Sequence, residues 1–271
     1  MGQYYRNSFL KVNWKTAKQP VEMTLSPYDF SNGAKLMEFS YIGNGLMKAV
    51  EYLMANHYYG HPFVCVGDYA DKKMTTAYPA MEIRRYGDVC DFSDEIVARW
   101  KELLTLEDFE KFMNDKRIEV PYNEETWNYF KNTECLGVDG TLNIYDAAHE
   151  VQDAGDEKED APYNKMKGLI PEYEEIPYYK YLINFTKKEY VVMPKYSKRE
   201  WRIHPLSLLC ADGNGRGGGD YREMHDKDTG DLIPNDYDKV GIWAYDKIGI
   251  TNDKNEVKGF TELKVNFRED F

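Results

Sequence analysis

Through the first ninety residues, apolar and β-branched positions come in short runs broken by turn formers. "YYRNSFLKV" and "VEMTL" read as strands, "SNGAK" as a turn, and "KLMEFSYI" leads into Gly43-Asn44-Gly45. The pattern then changes period. In "LMKAVEYLMANH", Leu46, Val50, Leu53 and Met54 recur at helical spacing, which predicts a short amphipathic helix, and "PFVCVGDY" after it predicts a buried strand.

The middle of the chain carries the helical period. Ser93 is placed to cap a helix whose Ile96, Val97, Trp100, Leu103 and Leu104 form one apolar stripe, with Asp94 and Glu95 at its positive end. Thr105 caps a second with Leu106, Phe109, Phe112 and Met113, and a third follows Asn123 with Trp127 and Phe130 on one face. From Asp146 to Glu175 the chain is acidic and poor in large aliphatics, the composition of a linker or surface loop. Strand patterns return in "YYKYLINFTKKEYVVM", "EWRIHPLSLLCAD", "VGIWAYDKIGI" and "TELKVNF".

This divides the chain into a strand-rich unit over 1–92, a helical insert over 93–133, an acidic linker or surface loop over 134–177, and a second strand-rich unit over 178–271. Val50 to Asp68 and Leu206 to Asp253 share an order of features: an aliphatic segment ending in Ala-Asn or Ala-Asp, a loop, and a strand closed by Asp68 or Asp253. The order suggests an internal duplication whose second copy alone carries a glycine loop. The expected fold is α+β, with two related mixed-sheet units around one core and a small helical insert.

Composition narrows the function classes. A net charge of −12 sets the average field against nucleic acid and anionic membranes, so no direct nucleic-acid binding is expected. No apolar run approaches the roughly 18 residues of a membrane span, and "MGQYYRNSFLKVNW" lacks the basic and apolar regions of a signal peptide. Cys65, Cys90, Cys135 and Cys210 show no CxxC spacing. The expectation is a cytoplasmic chain with reduced thiols, off the membrane. Its 23 tyrosines and 5 tryptophans supply amphipathic rings for strands, pockets or partner surfaces.

The densest candidate chemistry is "CADGNGRGGGDY", Cys210 to Tyr221. Gly213 to Gly218 fit the letters of a dinucleotide fingerprint, but "GDYREMHDKDTGDLIPND" is too polar and too rich in turn formers to be the helix that must follow. The absence of G-K-[ST] excludes a P-loop. Calcium is an alternative, because Asp212, Asn214, Gly217, Asp220 and Glu223 fall at EF-hand positions 1, 3, 6, 9 and 12; Arg216 at position 5 opposes it. Asp226, Asp228 and Asp231 add nearby carboxylates. No other cofactor or metal is indicated.

The favoured reading uses Arg216. Consecutive glycines can turn their N–H groups into an anion nest, and a guanidinium among them offers a planar bidentate donor to phosphate. The candidate ligand-binding set is Asp212, Asn214, Gly215, Arg216, Gly217, Gly218, Gly219, Asp220 and Tyr221, with Trp201, His204 and Trp243 as neighbours able to stack or hydrogen-bond. The competing reading is a tight strand connection with Asp212 and Asp220 bonding their own backbone. No catalytic residue is assigned, although His204 with Asp220 or Asp246 has the makings of a general base.

Five segments, "MGQYY", "KLMEF" (Lys35 to Phe39), "GDYAD" (Gly67 to Asp71), "ADGNGRGGGDY" (Ala211 to Tyr221) and "VGIWAYDKIGI" (Val240 to Ile250), together resemble a family of uncharacterised proteins of bacteria and their phages. The resemblance touches only the two ends of the chain and brings no activity with it. It implies a phage-associated accessory protein in a bacterial host cytoplasm, a setting of inhibitors and ligand traps. The expected function is a binding protein for a small phosphorylated or nucleotide-like ligand, in its sharpest form a host signalling nucleotide. The alternatives are an acidic inhibitor acting on a host protein through its aromatic helical insert, and a hydrolase of a nucleotide-like substrate.

Overall fold

Tyr5–Leu10 (β1) carries Arg6, Asn7 and Ser8 among its apolar residues, yet all six strand positions are buried, so polar groups lie inside this sheet. The computed structural model describes residues 3–15, 17, 19–70, 80–85, 94–115, 117–121, 123–131, 133, 136–139, 144–153, 168–195, 202–213 and 219–267. They fall into two compact units. One comprises Met1–Val12, Val21–Lys73 and Ile144–Phe271, the other Asn13–Pro20 and Met74–Asn143.

The first unit is built on one mixed sheet. β1 pairs antiparallel with Val21–Leu25 (β2) and with His61–Gly67 (β3). Beyond β3 the sheet continues into strands from the C-terminal third, which are numbered below after the three strands of the second unit.

The second unit holds Ala80–Arg85 (β4), Arg117–Pro121 (β5) and Leu136–Asp139 (β6) in a three-stranded antiparallel sheet, with β4 in the centre. Its helices are Asp94–Leu103 (α3), Leu106–Asp115 (α4) and Glu124–Lys131 (α5), preceded in the chain by Leu36–Phe39 (α1) and Gly45–Asn56 (α2) of the first unit. Trp100, Phe112 and Phe130 are fully buried at its centre with rings in mutual contact, joined by Phe109, Trp127, Ile118 and Val120. The expected caps hold where they are described: Thr105 Oγ1 accepts the Asp108 N–H at 3.1 Å and Asn123 Oδ1 that of Glu125 at 2.9 Å. Ser93 lies outside the described residues. The unit is thus a helical cluster on a small sheet, not helices alone; β5 was missed because "RIEVP" is a single short run of alternation between two helices.

The C-terminal strands of the first unit are Tyr181–Asn184 (β7), Glu189–Val192 (β8), Ala211–Asp212 (β9), Met224–His225 (β10), Leu232–Ile233 (β11), Lys247–Thr251 (β12) and Thr261–Glu262 (β13). The large sheet runs β13-β8-β7-β12-β3-β1-β2, with β9 also paired to β3; β10 and β11 form a separate hairpin. Within "YYKYLINFTKKEYVVM", which reads as a hairpin or one long strand, β7 and β8 form an antiparallel pair. The class is α+β, as expected. The two ends of the chain, however, share one continuous sheet rather than forming two sheet units, because β12 adds directly to the start of β3.

One face of this sheet packs on α2, whose Leu46, Met47, Val50, Leu53 and Met54 meet Tyr5, Phe9, Phe63, Cys65 and Trp243 in the main core. Asn44 Oδ1 caps that helix through the Leu46 N–H at 2.9 Å. Ile144–Asp153 (α6) packs against β1, β2 and β3, burying Ile144, Ala147, Ala148 and Val151. It lies where an acidic linker or surface loop was expected; its acidic composition hid a stripe at i, i+3, i+4 and i+7, half of it alanine. Residues 154–167 of that stretch lie outside the described residues. Pro205–Leu209 (α7), fully buried, delivers the chain to β9. Among the described residues, no helix is long and apolar enough to cross a membrane.

Candidate functional site

The glycine loop leaves the sheet where β3 changes partners. The start of β3 pairs with β12 and its end, Cys65 and Val66, pairs parallel with Ala211 and Asp212 of β9. Two parallel strands therefore finish side by side at Gly67 and Asp212. Asn214 to Gly218, the span holding Arg216, lies outside the described residues, as does Trp201. What the structure gives is the frame that holds both roots of the loop.

At the first root, Asp212 Oδ2 accepts the Tyr245 phenol, and Tyr245 itself takes the left-handed conformation, φ 70°, which is strained for a side chain of that size. At the second, Asp220 Oδ1 accepts the Tyr5 phenol at 2.9 Å. Burial, then the neighbouring carboxylate, pushes both phenols far above the ordinary tyrosine range, so each remains a neutral donor to its aspartate. The next residues inward need glycine. Gly213 has φ +107°, and a Cβ there would stand 2.3 Å from Gln3 Oε1 and 3.0 Å from the Ala70 backbone; Gly219 has φ +89°, and its Cβ would stand 2.7 Å from the Lys35 side chain.

Further bonds fix the frame. The Met37 N–H donates to the Gly219 carbonyl at 2.9 Å, the Gly241 N–H to that of Leu208 at 2.8 Å and the Trp243 N–H to that of Leu209 at 2.7 Å. Gln3, Tyr5, Lys35, Met37, Gly67, Ala70, Gly241 and Tyr245 come from the segments "MGQYY", "KLMEF", "GDYAD" and "VGIWAYDKIGI". All four thus meet "ADGNGRGGGDY" at or beside its roots.

Gln3 is fully buried at this junction, and neither its carbonyl oxygen nor its amide nitrogen has a hydrogen-bond partner among the described residues. Nearly every buried polar group in a folded protein is satisfied, so such an amide calls for an explanation. Sequence reasoning passed over Gln3, Tyr5 and Tyr245. The available signal was the polar content of β1, a strand buried on both faces.

The other residues expected at the site are placed as follows. Tyr221 is buried and meets the Phe267 ring edge to face, with centroids 5.5 Å apart. Trp243 is fully buried in the main core and its indole N–H donates to Glu189 at 2.8 Å. His204, also fully buried, caps α7: Nδ1 accepts the Leu206 N–H at 3.1 Å, so Nε2 carries the proton and donates to Glu51 Oε1 at 3.0 Å. Its partner is thus a carboxylate from α2, while Asp246 accepts from Asn184 at 2.8 Å and pairs with Lys187 at 3.6 Å. Of the carboxylates after the loop, Asp226 binds its own turn, accepting the N–H groups of Asp228 and Thr229, which lowers its carboxyl below the usual range. Among the described residues, no group of three His, Cys, Asp or Glu is arranged to hold a metal ion.

Compared with models of protein families, with curated proteins and with solved structures, the chain matches none.

Proposed function

We propose that this chain is a binding protein for a small phosphorylated or nucleotide-like ligand, held at the glycine loop. The observation that carries the reading is the junction itself. Separate segments from both ends of the chain are spent on fixing the two roots of one seven-residue span, Gly213 to Gly219, through two tyrosine–aspartate bonds, one buried and one part-buried. A plain strand connection needs no such frame, whereas ligand recognition requires a preorganised one.

The chemistry available fits the ligand class. Arg216 and the loop N–H groups offer donors to a phosphate. The Gln3 amide beside Gly213 offers a donor and an acceptor together, the pair with which glutamine reads a nucleobase edge. Asp212 and Asp220 are each occupied by a tyrosine donor.

Thermal melting against nucleotides, cyclic nucleotides and Ca²⁺ tests the reading, because a ligand of the native state raises Tm by mass action. A nucleotide should raise it, and the rise should disappear in both Arg216→Ala and Gln3→Leu. A nucleotide rise unchanged in the two variants, a rise with Ca²⁺ alone, or no rise with any nucleotide overturns it.

A further inference from the structure

Gly67 is a glycine that backbone conformation does not explain. It ends β3 opposite Tyr5 and does not take a positive φ. What its place lacks is room for a side chain. A Cβ there would overlap Gln3 Oε1 and stand 2.9 Å from Gln3 Cδ and 3.0 Å from the Tyr5 ring, and a Cβ at Gly213 would overlap the same Gln3 oxygen. Gly67 and Gly213 stand at the ends of β3 and β9, which are parallel neighbours. Two glycines on adjacent strands are thus the bed of one amide, which crosses β3 to reach the end of β9.

That bed buries the Gln3 amide completely, yet its donor and its acceptor are both unmet among the described residues. An apolar side chain would fill the same space without the desolvation cost of either group. The carboxylates around it are engaged: Asp212 accepts from Tyr245, Asp220 from Tyr5, and Asp68 accepts the Tyr4 backbone N–H at 3.0 Å.

The number of polar groups on a base edge decides which base suits a lone amide. Guanine lines up a carbonyl, a ring N–H and an amine, cytosine an amine, a ring nitrogen and a carbonyl, and uracil two carbonyls about a ring N–H. One amide meets two of the three, and in a buried site the third is left unmet. Guanine's other edge is two acceptors, the match of an arginine fork. Adenine's edges carry only two groups, the 6-amino donor beside N1 or N7 as acceptor, and a single amide completes such a pair.

We propose, resting on the glycine-loop reading, that the ligand is an adenine nucleotide and that Gln3 selects its base, Oε1 accepting from the 6-amino group while Nε2 donates to the ring nitrogen beside it. Gln3→Glu exchanges the donor for a second acceptor, which matches the adjacent N1–H and amine of guanine instead.

Dissociation constants are measured by calorimetry on the full chain for the adenosine, guanosine, cytidine and uridine 5′-mono- and triphosphates, and for the purine ribonucleotides that lack the 6-amino group. Wild type should bind the adenine nucleotide at least about tenfold more tightly than any of the others. Gln3→Glu should lose that margin and prefer guanine; should it show no melting transition, the comparison of adenine with unsubstituted purine on wild type decides. Arg216→Ala separates the two claims. Nucleotide binding that Arg216→Ala abolishes, but that is equal among the bases, strongest for another base, indifferent to loss of the 6-amino group, or still selective for adenine in a folded Gln3→Glu, overturns this inference and leaves the glycine-loop reading in place. No binding of any nucleotide, or binding that Arg216→Ala leaves unchanged, overturns both.

Discussion

The phenol of Tyr5 donates to Asp220 Oδ1 at 2.9 Å across a separation of 215 residues. This bond ties the first strand of the sheet to the end of the glycine loop, and Tyr245 does the same for Asp212 at its start. Both ends of the loop are therefore set by the tertiary fold rather than by the loop's own sequence.

Removing the Tyr5 hydroxyl should cost stability, because it takes a donor from a buried carboxylate. Tyr5→Phe is expected to lower the unfolding free energy by about 1–3 kcal/mol in urea titrations. In a double-mutant cycle with Asp220→Asn the two losses should be non-additive by at least about 0.5 kcal/mol. Strict additivity would show that the bond carries no coupling.

The same tyrosine predicts an alkaline limit. Its folded-state pKa lies far above the value of about 10 expected in the unfolded chain. Below about pH 10 both states hold the proton and the contribution is fully present. Above it the unfolded chain releases a proton that the folded one keeps, so stability falls with rising pH by up to about 1.4 kcal/mol per pH unit for this group. Urea titrations from pH 9 to 11 should show the fall, and Tyr5→Phe should make it shallower.

The Glu51–His204 pair links α2 to α7 at the base of the loop segment. Glu51→Leu leaves the His204 Nε2–H without its carboxylate and should cost about 2–4 kcal/mol. Glu51→Gln, which keeps an acceptor oxygen, should cost clearly less. Equal losses in the two variants, measured by denaturant unfolding, would mean that packing rather than the hydrogen bond is what matters.

Cys65 and Cys210 are fully buried, and burial is the main cause that drives both thiols well above their ordinary pKa. Native protein treated with iodoacetamide at pH 8 should leave both unmodified by peptide mass analysis, and unfolding in urea should expose both to rapid alkylation.

Much of the fold could be read locally. α2 was legible from Leu46, Val50, Leu53 and Met54, β3 from its unbroken apolar run, and α4 and α5 from the stripes behind Thr105 and Asn123. The misses share a physical cause. α6 hides its buried stripe in alanines within an acidic segment, and α1 is a single turn inside "KLMEF", stabilised by Glu38 reaching back to the Lys35 N–H at 3.0 Å. The union of both chain ends into one sheet depends on β12 meeting β3, a pairing of distant residues that no local pattern encodes.

The candidate site was half legible. The glycines, Asp212 and Asp220 stand out by composition, whereas Gln3, Tyr5 and Tyr245 matter through where β1, the residues just before it and the turn before β12 place them. His204 and Trp243 are close to the loop in sequence, yet their polar atoms bond to Glu51 and Glu189.

The most direct test of the central claim is hydrogen exchange read by mass spectrometry, with and without the nucleotide that gives the largest rise in Tm. Binding at the glycine loop predicts slowed exchange in peptides spanning residues 210–221 and 3–6, with no slowing in either set for Arg216→Ala. Slowed exchange confined to other segments, or unchanged exchange at 210–221 at saturating nucleotide, would contradict it.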